Sequence, residues 1–87
     1  MIEQQKLSTA LYSLHTILVL ARAMAYDGRP GKEIADVLDL AEHMPRLLVD
    51  DLDRTNEFRE CLVELSGKHA GFELALERFD RGAPKRW

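Results

Sequence analysis

Asp39 and His43 stand four residues apart, so on a helix they share one face, with Asp36 one turn earlier. A carboxylate and an imidazole so placed could begin a divalent-metal site. A structural or catalytic site takes three or four protein ligands, and the paired Glu-x-x-His helices of di-iron bundles are absent from the chain. The trio therefore reads as a solvated polar face, and neither a metal nor a cofactor is expected. His15 and His69 lie elsewhere in the chain, and His15 suits a half-buried contact better than a ligand. Asp51 and Asp53 imitate the start of a calcium-binding loop. The imitation fails at Asn56, where glycine is required, and at Leu62, where a bidentate glutamate should stand. With Asp50, they suit the start of a helix, capping it and complementing its dipole.

Cys61 is the single cysteine, set between Phe58 and Leu62 on what reads as a buried stripe. A reactive thiol needs an accessible, electropositive setting, and a buried one behaves as a small hydrophobe. No serine sits in a nucleophile elbow and no glycine-rich loop follows a strand. The chain is thus expected not to be an enzyme, with no catalytic residue to name.

The elements that would carry these residues are all helical. Residues 7–26 form the longest apolar-periodic run. Leu7, Leu11, Leu14, Leu18, Ala21 and Ala25 recur at alternating steps of four and three, and Ala10, Ile17, Leu20 and Met24 widen the stripe. So wide a face suits a helix with more than one neighbour. The run counts as too short and too interrupted to span a membrane, since Arg22 follows its densest apolar stretch. Its opposite stripe, Tyr12, His15, Val19, Arg22 and Tyr26, is only half polar and is the candidate interface. Gly28 should close this helix. A second helix starts near Pro30 or Gly31, carries Ile34, Val37, Leu38, Ala41 and Met44 inward, and packs back as a hairpin. Pro45 should stop or kink it within a residue or two of Met44, leaving residues 46–49 as a separate apolar turn. A third helix runs to about Ser66 and ends at Gly67, and a short fourth covers about residues 72–79. The reading is an all-α, compact bundle of three main helices plus a short C-terminal helix: one domain over residues 1–82, then a basic tail over 83–87. Leu14, Leu18, Ala21, Leu38, Leu62 and Phe79 are expected among the most buried residues, with the long first helix touching all the others.

At 87 residues the chain suits one modest core, and a hydrophobic content of 46% argues against disorder. A net charge of −3 disfavours nucleic acid, whose non-specific binding leans on a basic surface. One cysteine and no export signal point to a reducing cytoplasm.

Tyr26, Gly28, Ile34, Ala35, Leu38, Ala41, Met44 and Pro45 resemble a segment of a group of small uncharacterised bacterial helical proteins. There, a first helix ending near Tyr-x-Gly leads to Ile-Ala-x-x-Leu-x-x-Ala-x-x-Met/Leu-Pro. The resemblance covers about a quarter of the chain in packing residues alone, so it implies a fold and carries no catalytic motif. Residues 32–48 also look like a helix-turn-helix core, with departures. Asp39 replaces the usual turn glycine, Pro45 falls inside the would-be recognition helix, and the segment is acidic where phosphate contacts need basic side chains.

Charge is the feature that bears most on function. Residues 33–64 hold ten acids, Glu33, Asp36, Asp39, Glu42, Asp50, Asp51, Asp53, Glu57, Glu60 and Glu64, against Arg46, Arg54 and Arg59. Such a surface can steer a basic protein partner. The expected function is a non-enzymatic protein-binding module, such as an immunity, antitoxin or regulatory adaptor protein of a bacterial cell or mobile element. The alternatives are a self-associating structural subunit, hence a homodimer, and a small DNA-binding regulator.

Overall fold

The computed structural model describes residues 4–49 and 54–82. They are all-α: α1 (Gln4–Tyr26), α2 (Gly31–His43), α3 (Arg46–Val49), α4 (Thr55–Lys68) and α5 (Glu73–Arg81), with no strand among the described residues. The expected aspartate caps at Asp50, Asp51 and Asp53, and the basic tail, lie outside the described residues.

Gly28 closes α1 in the left-handed conformation, φ 74°. Its N–H donates to the Ala25 carbonyl at 3.2 Å, and that of Arg29 donates to Met24 at 3.0 Å. This pair of crossed bonds satisfies carbonyls the helix end would otherwise leave open. Pro30 then presents its carbonyl to the N–H groups of Glu33 and Ile34, opening α2 without needing a donor of its own. α2 stops at His43, and Met44 and Pro45 form a turn before α3, as the proline requires. Gly67, expected to end the next helix, lies inside α4, which runs one residue further; the positive-φ glycine in that connection is Gly71.

The principal contacts run round a closed ring: α1 on α2, α2 on α3, α3 on α4, α4 on α5 and α5 back on α1. The expected contact of α1 with α4 is not among these, because α4 lies across the ring. Inside it sit Ile17, Val37, Met44, Leu47, Phe58, Leu62, Leu65 and Phe72, all essentially closed to water. The Phe58 and Phe79 rings stack 5.3 Å apart where α4 meets α5. Arg59 and Asp80 clamp the same pair from outside with two bonds, of 2.9 and 3.0 Å.

The face that α1 turns inward differs from the leucine stripe. Thr9, Ala10, Ser13, Thr16, Ile17 and Ala21 are buried. Leu18 is 48% exposed, Leu11 45% and, on α2, Leu38 39%. Of the expected core, Ala21 and Leu62 are buried, Leu14 and Phe79 are partly buried, and Leu18 and Leu38 are surface residues. The physical reason is fit. Ala10 and Ser13 are small, and they let α5 bring the fully buried Ala75 close enough for the Ser13 hydroxyl to donate to its carbonyl at 3.2 Å. Thr9 and Thr16 return their hydroxyls to the carbonyls of Gln5 and Tyr12, so the polar atoms on this face are satisfied. At 23 residues α1 is, by length and composition, long and apolar enough to cross a membrane, contrary to the shorter sequence reading. In the fold its small-residue face is keyed to α5.

Candidate protein-binding surface

The candidate stripe of α1 divides between two environments. Tyr12 is half-buried beneath Arg78 of α5, whose guanidinium carbon lies 5.2 Å from the ring centre. Arg78 also donates to the Thr16 hydroxyl at 3.1 Å. The rest of the stripe is open: His15, Val19 and Arg22 are exposed, and Tyr26 is 84% exposed. Helix α5 therefore takes Tyr12 into the fold and leaves the other four on the surface.

The open part joins side chains that the sequence placed inside. At about 100° per residue, Leu11, His15, Leu18 and Arg22 lie roughly 100–160° round α1 from Ile17, on the side away from α5. On α2, Leu38 and Glu42 lie roughly 100–140° round from buried Val37. In an antiparallel hairpin these two flanks point to the same side. Leu18 is eight residues before the end of α1 and Leu38 seven after the start of α2, so they stand at similar height along the hairpin. The outer face is thus an apolar centre of Leu11, Leu18 and Leu38. Basic His15 and Arg22 border it on α1, and acidic Glu42 and Asp39 border it on α2.

These four border groups have no ion-pair or hydrogen-bond partner among the described residues. Most of the other charges are spent inside the fold. Asp36 accepts from His69 at 3.0 Å, with Lys68 4.0 Å away. The His69 bond holds the Asp36 carboxyl below its ordinary pKa. Asp80 is lowered for the same kind of reason by Arg59, whose own pKa that bond raises. Arg29 pairs with Glu33 across the α1–α2 turn at 2.9 Å. Asp36 is thus held by His69 rather than joining Asp39 and His43, and no group of three or more His, Cys, Asp or Glu side chains among the described residues could hold a metal.

Cys61 is half-buried beside His43, Glu57, Glu60 and Glu64, and burial first, then those glutamates, push its thiol up. An open cleft of about 550 Å³ between the start of α1 and the end of α5 holds the Arg59–Asp80 clamp. In the helix-turn-helix comparison, Asp39, at the expected turn, lies inside α2, and Pro45 stands in the turn that follows it. No family model matches the chain, and no curated protein or solved structure matches it.

Sequence reasoning missed Leu11, Leu18 and Leu38 as surface residues. The signal was present in the steps of four and three that mark the leucine seam. The same helix carries a second apolar face, and only the packing of Ala75 against Ser13 decides between them.

Proposed function

We propose that the protein is a non-enzymatic protein-binding module of the cytoplasm. Its three main helices and short C-terminal helix form the scaffold, and the outer face of the α1–α2 hairpin is its contact surface. An immunity, antitoxin or regulatory adaptor protein of a bacterial cell or mobile element would have this character. The observation that carries the reading is the cluster of Leu11, Leu18 and Leu38, each more than a third exposed, ringed by His15, Arg22, Asp39 and Glu42, which have no partner among the described residues. An apolar centre within a polar rim is the anatomy of a protein interface. On this face α1 offers no acid, while α2 offers the unpaired Asp39 and Glu42, with exposed Lys32 at the helix start, a pattern that favours a partner of matching polarity.

The test is photo-crosslinking in cells. With p-benzoylphenylalanine in place of Leu18 or Leu38, protein adducts should form. From the positions of Val63 and Val49, also exposed but on α4 and α3, they should not. Equal labelling from all four positions, or none from the hairpin, refutes the assignment.

A further inference from the structure

We infer that the outer face of the α1–α2 hairpin binds a second copy of this chain, with α1 of each copy lying over α2 of the other. The inference rests on the protein-binding reading and names the partner of that face. It is carried by charge. Helix α1 has no acidic residue, and the basic groups exposed on this face are His15 and Arg22; Lys6, also exposed, lies near the start of the helix on a different side. Helix α2 offers Asp39 and Glu42, likewise exposed and unpaired among the described residues. One face therefore carries both halves of a complementary pattern, side by side, which is what an isologous contact requires.

Only one two-fold arrangement uses it. Two hairpins stacked face to face can be related by an axis across the helices or by an axis along them. The first sets α1 on α1 and α2 on α2, bringing acids against acids. The second sets α1 on the partner's α2 twice over, so that His15 and Arg22 of each copy meet Glu42 and Asp39 of the other. Leu18 and Leu38 then close on each other's counterparts at the centre. Heights agree with this arrangement. Glu42 stands eleven residues along α2 from Gly31, and His15 eleven before the end of α1, so in the antiparallel hairpin they are nearly level; Arg22 and Asp39 are offset by four residues, about 6 Å, which the long arginine side chain, leaning toward the start of its own helix, can span. An axis along the helices preserves that level.

Size agrees as well. α2 has 13 residues and is about 20 Å long, and two adjacent helices are about 20 Å across. That footprint gives about 400 Å² per copy before side-chain relief is added, roughly half of the ~800 Å² of a standard interface and in the class of weak, transient contacts. The association should accordingly be weak and concentration-dependent.

Sedimentation equilibrium from 1 µM to 1 mM tests it, on the full chain with the fold checked by circular dichroism. The expected result is a monomer–dimer equilibrium that Leu18→Glu abolishes. Arg22→Glu and Asp39→Arg should each weaken the dimer about threefold, and together they should restore most of the loss, as coupled charges across a contact do. The charge variants lie on the surface and keep the test decisive if Leu18→Glu perturbs folding. A monomer throughout the range overturns the inference, as does a dimer indifferent to Leu18→Glu or a double charge reversal without recovery. If the protein is monomeric while photo-adducts from position 18 carry another protein's mass, the second-copy inference falls and the protein-binding reading stands. If no adducts form either, both fall.

Discussion

Ile17 and Leu18 are neighbours on α1, one fully closed to water and the other 48% exposed. Truncating either to alanine removes three carbons, so chemistry is nearly constant and only position changes. At Ile17, three buried carbons at about 0.8 kcal/mol each give roughly 2.4 kcal/mol of transfer free energy. The surrounding side chains cannot collapse fully into the space, so the total should reach about 3–4 kcal/mol. At Leu18, about half of the transfer value applies, near 1.2 kcal/mol. Solvent fills the space, and alanine's better helix propensity returns about 0.2 kcal/mol, leaving about 1 kcal/mol. For a domain of this length, total stability is on the order of 4–13 kcal/mol, so Ile17→Ala removes a large part of it.

Urea unfolding followed by circular dichroism at a few micromolar, where the monomer dominates, measures both. With a slope of about 1 kcal/mol per molar urea, the midpoint should fall by about 3 M for Ile17→Ala and about 1 M for Leu18→Ala. Equal losses at the two positions would show that the leucine stripe faces the core, and the outer-face assignment would fail with it.

Gly28→Ala should destabilise by about 1–2 kcal/mol in the same assay, because alanine resists the left-handed φ there while its side chain meets nothing. Ser13→Leu should cost about 1–3 kcal/mol by forcing α5 from α1, against about 1 kcal/mol for Ser13→Ala, which removes only the bond to Ala75. Asp36 is lowered below 3.8 in the fold, so its stabilisation is present above that value and is lost as pH falls through the folded pKa. Wild type should therefore exceed Asp36→Asn in thermal midpoint at pH 5–6, with the gap closing in acid below the usual carboxylate range. The Cys61 thiol is raised from 9.0, so disulfide-exchange labelling should be slow at neutral pH and accelerate only in strongly alkaline buffer; prompt labelling at pH 7 would contradict that environment.

What could be read from the sequence followed from residues whose backbone chemistry has one solution. Pro45 ends α2 because it lacks a donor, and Gly28 closes α1 because other residues pay for positive φ. Helix α2 has a single apolar face apart from Leu38, so its buried Val37 and Ala41 were readable. Helix α1 was different, since its apolar residues run most of the way round. Two stripes, one of leucines and one of small residues, compete for the interior. Leucines have the larger transfer free energy, but the small stripe allows α5 to approach and form a bond through Ser13. That choice belongs to Ser13 and Ala75, 62 residues apart in sequence and beyond the reach of local periodicity. The candidate interface inherits the same ambiguity: His15, Val19, Arg22 and Tyr26 are on the surface, while periodicity alone places the leucines beside them in the core.

A face this small binds usefully only if little is lost in ordering it. Association costs free energy for every side chain and segment that must be fixed on contact. Here the two helices that form the face are fixed beforehand. The crossed bonds at Gly28 end α1 at a defined residue, Pro30 starts α2 with a preset φ, and the Arg29–Glu33 pair spans the turn between them. Beneath the hairpin, Ile17, Val37 and Ala41 are anchored in the core, so the backbone carrying Leu18 and Leu38 is held by the residues beside them. Leucine itself loses less rotamer freedom than lysine, arginine or glutamate on burial. The ordering cost therefore falls mainly on His15, Arg22, Asp39 and Glu42 at the rim, where solvent keeps the charges hydrated and each pair adds little affinity. In the proposed dimer, affinity and specificity would be divided on this face: the leucines at its centre would supply most of the attraction, and the charged and polar groups at its border would choose which helix lies over which.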